Sequence, residues 1–143
     1  MSTVWILFIL AICGISLVFN IFSYTKHNAK LAKFTEEHPQ AAKVSVKANK
    51  IGIIVENLNV LSVNGEQPLI YQEKLINTGF YLLPGKNILE VSYDWSRPGI
   101  LHKRVTTYYD PCKIEVEAEP NKEYKLSYDR KKEEYEFEEV KAV

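Results

Sequence analysis

The chain has 143 residues and a formal net charge of zero, from 18 Lys plus Arg against 18 Asp plus Glu. That balance supplies no basic field for a polyanion and argues against nucleic acid as a partner. Nine tyrosines among 12% aromatics, with only six Gly and six Pro, argue against a disordered or collagen-like chain and for a folded, β-rich domain.

The first element is the stretch Val4 to Phe22, VWILFILAICGISLVFNIF, which carries no charge. An apolar run of about 20 residues at 1.5 Å rise matches a hydrocarbon core of roughly 30 Å, so the stretch predicts one membrane-spanning helix. Trp5 and Tyr24 sit where amphipathic aromatics favour the headgroup level. Export signals start with Lys or Arg and carry a shorter apolar run, whereas Met1 to Thr3 hold no charged side chain, and no small-x-small motif closes this run. The run therefore reads as a retained anchor. Leu10-Ala11-Ile12-Cys13 matches a bacterial lipobox at three of four positions. It departs at Ile12 and the apolar run continues beyond it, which leaves Cys13 as a small buried residue of a helix. Gly14 and Ser16 offer a close approach to a second helix and Asn20 a hydrogen bond across one, against the simpler picture of a lone helix in lipid.

Lys26, Lys30 and Lys33 follow the apolar run and no basic side chain precedes it, so the flanking charge places the domain in the cytoplasm and the N-terminus outside. KHNAKLAKFTEE, from Lys26 to Glu37, is rich in helix formers and predicts a polar extension of the membrane helix. Pro39 and the residues up to Ala42 then make a hinge. The expected organisation is a transmembrane anchor over residues 1–25, a helical extension and hinge over 26–42, and an all-β domain over 43–143.

Within the domain, Val44 and Val46 alternate with polar neighbours and predict a strand over Lys43 to Lys47. Ile51 to Val55 and Leu58 to Val63 read as two short β-branched segments ending in Asn64-Gly65, the strongest reversal signal in the chain. Pro68 to Leu75 is a weaker strand. Asn77-Thr78-Gly79 reads as a loop before Phe80 to Leu83, and Pro84-Gly85 as a turn with Gly at the positive-φ position. The next strand alternates most clearly, with Leu89, Val91, Tyr93 and Trp95 on one face. Ser96 to Gly99 breaks it, and a further strand runs from Ile100 to Tyr109. Asp110-Pro111 reads as a turn before Cys112 to Ala118. A hairpin through Glu119 to Lys122 then leads to Tyr124, Leu126 and Tyr128, and after Asp129 to Glu133 a last strand carries Tyr135 and Phe137. About seven short strands at regular spacing predict an antiparallel β-sandwich, Greek-key or meander, with a small barrel as the other closed form.

One cluster gathers polar and aromatic groups around a single loop and strand. Trp95, Arg97, His102, Arg104, Tyr108 and Tyr109 form the candidate binding surface, beside Asp94 and Asp110. Acid-base catalysis needs such groups to converge, and a strand sends neighbours to opposite faces; no GxSxG nucleophile motif accompanies them. Cys112 has no histidine near it in sequence and reads as a buried, inert thiol. His27, His38 and His102 are scattered without helical metal spacing, no phosphate loop is present, and the two cysteines are not placed for a disulfide within the domain. No catalytic residue, metal or cofactor is assigned, and the chain is read as a non-enzyme.

Val63-Asn64-Gly65, followed by Tyr81-Leu82-Leu83-Pro84-Gly85-Lys86-Asn87 and Leu89-Glu90-Val91-Ser92-Tyr93, resembles the pattern of PEGA-type and carboxypeptidase-regulatory-like β-sandwich modules over roughly a third of the chain. The resemblance implies a small Greek-key sandwich acting as an accessory or interaction module, with no catalytic residues to transfer. It also implies an extracytoplasmic setting, the alternative to the side given by the flanking lysines. The sequence thus leads to a membrane-tethered accessory or assembly subunit whose partners are the lipid bilayer and another membrane or membrane-associated protein. The alternative is a tethered ligand-binding or sensing domain with a pocket near Trp95 to Tyr109.

Overall fold

The computed structural model describes residues 2–47, 50–73, 77–101 and 103–141, and only the backbone of Lys50 and Ile51. The chain divides into two compact units, residues 1–37 and residues 38–143.

The first unit holds one helix, α1 (Thr3–Glu37), with no buried residue. The large apolar side chains that cover it from Val4 to Phe22 are each between 48% and 73% exposed. Its most apolar stretch has a mean hydropathy of 2.6 and is long and apolar enough to cross a membrane or to be a signal sequence. The Asn20 amide donates to the Ser16 carbonyl one turn back at 2.8 Å, so its polar group is satisfied within the helix. Cys13 is exposed on the helix side rather than buried.

The second unit contains, among the described residues, nine strands. They are β1 (Ala42–Val46), β2 (Lys50–Ile51), β3 (Ile54–Val63), β4 (Ile70–Glu73), β5 (Asn77–Leu82), β6 (Gly85–Pro98), β7 (Arg104–Ala118), β8 (Glu123–Asp129) and β9 (Glu134–Glu139). They form two open sheets, ordered β4-β5-β1-β8-β9 and β2-β3-β6-β7. All pairings are antiparallel except β1 with β8, which run parallel. The uniformly antiparallel expectation fails at this pair because β7 and β8 do not form a hairpin. The turn at Asn121 (φ 57°) carries the chain from one sheet to the other, and β8 pairs with β1 and β9.

Several local expectations change for identifiable reasons. Gly52 adopts φ 62° and reverses the chain, so the backbone of Ile51 pairs with that of Ile54 across β2 and β3. Ile54 to Val63 is then one continuous strand rather than two segments. Asn64 and Gly65 both take positive φ, 51° and 81°, and close the tight reversal between Val63 and Glu66. The chain does not return along β3; that place is taken by β6. Asn77 to Gly79 belongs to β5 rather than a loop, because Gly79 lies under the Tyr71 ring between Ser45 and Tyr71 of the flanking strands. Ser96 to Pro98 stays in β6. Asp110-Pro111 lies inside β7 at a register shift; proline is tolerated there because β7 is an edge strand and loses no ladder hydrogen bond on its free side.

The alternation of Leu89, Val91 and Tyr93 puts those side chains into one hydrophobic cluster with Leu58, Val116 and Ala118 of the same sheet. Ala42, Val44, Phe80, Leu82, Tyr124 and Leu126 of the other sheet complete it. At one end of the cluster Asn87, buried among apolar groups, accepts from the Asn64 amide at 2.9 Å and donates to the Leu83 and Gly85 carbonyls at 2.9 and 3.0 Å. At the other end the apolar residues give way to tyrosines, and this is where the candidate site lies.

Candidate functional site

Five of the six candidate surface residues are described, and all five lie on the β6–β7 hairpin, whose register divides them. Tyr93 opposes Tyr109, Trp95 opposes Thr107, and Arg97 opposes Val105, so Trp95, Tyr109 and Arg97 share the face that carries the core. Asp94 opposes Tyr108 and Pro98 opposes Arg104, which places Tyr108 and Arg104 on the reverse face. Tyr108 is 78% exposed, and Arg97 and Arg104 are exposed as well. His102 lies outside the described residues. The hairpin therefore does not gather these side chains into one pocket.

Trp95 and Tyr109 instead line a recess of about 640 Å³ with residues that the sequence did not assign to a site, chiefly Glu56, Tyr128 and Arg130. Glu56 is on β3 directly opposite Trp95, and Arg130 opens the turn between β8 and β9. Although Glu56 is only 7% exposed, its carboxylate takes the Arg130 Nε at 3.0 Å. The same guanidinium lies 5.0 Å from the Trp95 ring centre, so one side chain ties the β8–β9 turn to β3 and β6 through charge and ring face together. Behind it, Tyr93 stacks on Tyr128 with ring centres 4.1 Å apart, and both rings meet Tyr109 at 5.6 Å. Tyr135 stands edge-on to Tyr128 at 4.8 Å.

Two buried polar atoms here lack a hydrogen-bond partner, the Trp95 Nε1 and the Tyr93 hydroxyl. The hydroxyl approaches the Glu56 carboxylate without closing a hydrogen bond of good geometry. Burial first, and then the Glu56 charge, push the Tyr93 phenol far above its ordinary value, against a smaller lowering by Arg130. Burial likewise raises Tyr128, with Tyr109 next in effect, and raises Tyr135, with Cys112 next. These phenols stay neutral at physiological pH and serve as stacked ring walls, not as proton acceptors. Cys112 is exposed rather than buried; it shares the inward side of β7 with Ile114 and Val116 but sits where β7 forms the open edge of its sheet.

The acids of the recess are matched internally. Glu56 has Arg130, while Asp129 and Glu136 both have Lys132, at 3.7 and 2.7 Å. Asp129 also accepts from the Lys131 and Lys132 amides, and these two bonds, led by the first, hold its carboxyl below the usual carboxylate range. Among the described residues no group of three or more His, Cys, Asp and Glu is placed to hold a metal ion. No family model, curated protein or solved structure matches this chain.

No local pattern marks Glu56 or Arg130 in the sequence. Glu56 looks like a polar residue between two apolar segments, and Arg130 is one of a run of charges in a turn; they meet only because a strand of one sheet lies beside a turn of the other. The one available signal was Glu56 standing at the in-facing parity of β3, two residues from Leu58.

Proposed function

We propose that this is a single-pass membrane protein in which α1 is an uncleaved anchor and residues 43–143 fold as a β-sandwich. In this reading the sandwich acts as a non-enzymatic accessory or assembly subunit, held at the membrane to contact another membrane or membrane-associated protein. The observation that carries it is a long helix whose apolar side chains have no protein to cover them, attached to a domain that has its own core. A helix apolar on all sides needs lipid or a partner helix around it. The single hydrophobic cluster fed by both sheets supports the sandwich. Lys26, Lys30 and Lys33 favour a cytoplasmic domain, and an extracytoplasmic domain remains the alternative.

The test is in-cell cross-linking followed by solubilisation in mild detergent. A membrane partner should co-purify in constant ratio with the chain, whereas a monodisperse monomer with no companion protein would refute the accessory role. One observation favours a second reading, a tethered ligand-binding or sensing domain: the recess beside Trp95 brings aromatic rings together with charged side chains, among them Arg130, Glu56 and Lys125, a lining suited to a small polar or aromatic molecule.

A further inference from the structure

The end of the β6–β7 hairpin combines two features that the proposed accessory role does not use. Ile100 and Leu101 at its apex are 94% and 87% exposed, more than any large apolar residue of α1. The Gly99 amide donates to the Lys103 carbonyl across it, and Leu101 sits at φ 68°, a left-handed conformation that a branched residue adopts only at a cost. Around the apex stand Arg97, Lys103 and Arg104, all exposed, and none forms an ion pair with a described residue. No acidic residue occurs between Asp94 and Asp110. Adjacent exposed aliphatic residues are a standing penalty in water, and three cations with no acid between them add a field of one sign.

We propose that this hairpin end inserts into the anionic leaflet of the same bilayer that holds α1, with Ile100 and Leu101 entering the acyl boundary and Arg97, Lys103 and Arg104 resting on lipid phosphates. The depth order, aliphatic apex first and cations behind it, is the order in which an interface accepts side chains. The charge sign fits as well, because the cytoplasmic leaflet indicated by Lys26, Lys30 and Lys33 is the anionic one. The inference rests on the reading of α1 as an anchor, which keeps the hairpin in permanent reach of the surface and makes two aliphatic residues and three cations sufficient.

The experiment uses the full chain with Cys13→Ala and Cys112→Ser, a Leu101→Cys substitution carrying an environment-sensitive nitrobenzoxadiazole dye, and reconstitution into lipid nanodiscs. Ile100→Cys provides a second position in case the first disturbs the turn. Discs of phosphatidylcholine are compared with discs containing phosphatidylglycerol, with Glu117→Cys as a reference on the exposed side of β7. The proposal expects severalfold brighter, blue-shifted emission at residue 101 in the phosphatidylglycerol discs, quenching by spin-labelled lipid, and loss of both when Arg97, Lys103 and Arg104 are changed to Gln. Aqueous emission at residues 100 and 101 in discs that retain the protein would overturn it, leaving the tip for a protein partner. Failure of the chain to enter discs at all would overturn it by a different route, through the anchor reading.

Discussion

Arg130 is the residue on which the open end of the domain turns. Its guanidinium meets a carboxylate that is only 7% exposed and lies against the Trp95 ring. Removing it leaves Glu56 charged and out of water, which costs more than the pair itself contributes. Arg130→Ala should therefore lower stability by about 2–3 kcal/mol, less than for a fully buried pair because the arginine is itself partly solvated. Adding Glu56→Gln to that variant should recover about half of the loss, since the neutral amide no longer needs a countercharge. Urea denaturation of the full chain in mild detergent measures both. Strictly additive losses from the two substitutions would remove the coupling.

At the level of elements, the parts of the fold legible in the sequence were those set by local geometry. The alternation of Leu89, Val91 and Tyr93, the positive φ at Asn64, Gly65 and Gly85, and the long apolar helix follow from spacing and residue type alone. The errors arose where a distant strand decided the matter. Gly79 resembles a loop residue, yet it is a strand residue because Tyr71 covers it from β4. The ring of Tyr71 fills the space that a side chain would take, with burial first and Glu73 next raising its phenol to about 12. A Cβ at Gly79 would run into the Val44 carbonyl oxygen and the Tyr71 ring, and the carbonyl is fixed by the sheet. Gly79→Ala should accordingly destabilise the domain by about 2–3 kcal/mol as an overpacked site, read as a lower urea midpoint at unchanged slope. Tyr71→Ala in the same background should restore little, because the backbone clash remains. Pro111 was misread for a related reason: it ends most strands, but not an edge strand at a bulge. The candidate site was legible only in half. Trp95 and Tyr109 do line a recess, while Arg97 is exposed beyond it and Arg104 and Tyr108 lie on the reverse face; Glu56 comes from β3 and Arg130 from the β8–β9 turn, and no hairpin joins either to β6.

For the molecule as a whole, α1 decides where the domain works. A domain with its own core needs no such helix to fold, and the helix buries none of its residues. Its mean hydropathy and length place it among spans and signal sequences alike, and its retention is the part of the proposal that most needs a direct test. If α1 is retained, any partner meets the domain at a membrane surface, and the apolar hairpin tip has a bilayer within reach. The most direct measurement is alkaline carbonate extraction of membranes from cells expressing the chain with a C-terminal tag, followed by intact-mass analysis of the tagged product. The account predicts that the protein stays in the membrane pellet with a mass that includes residues 2–25. A tagged product released to the supernatant, with a mass lacking that segment, would contradict it.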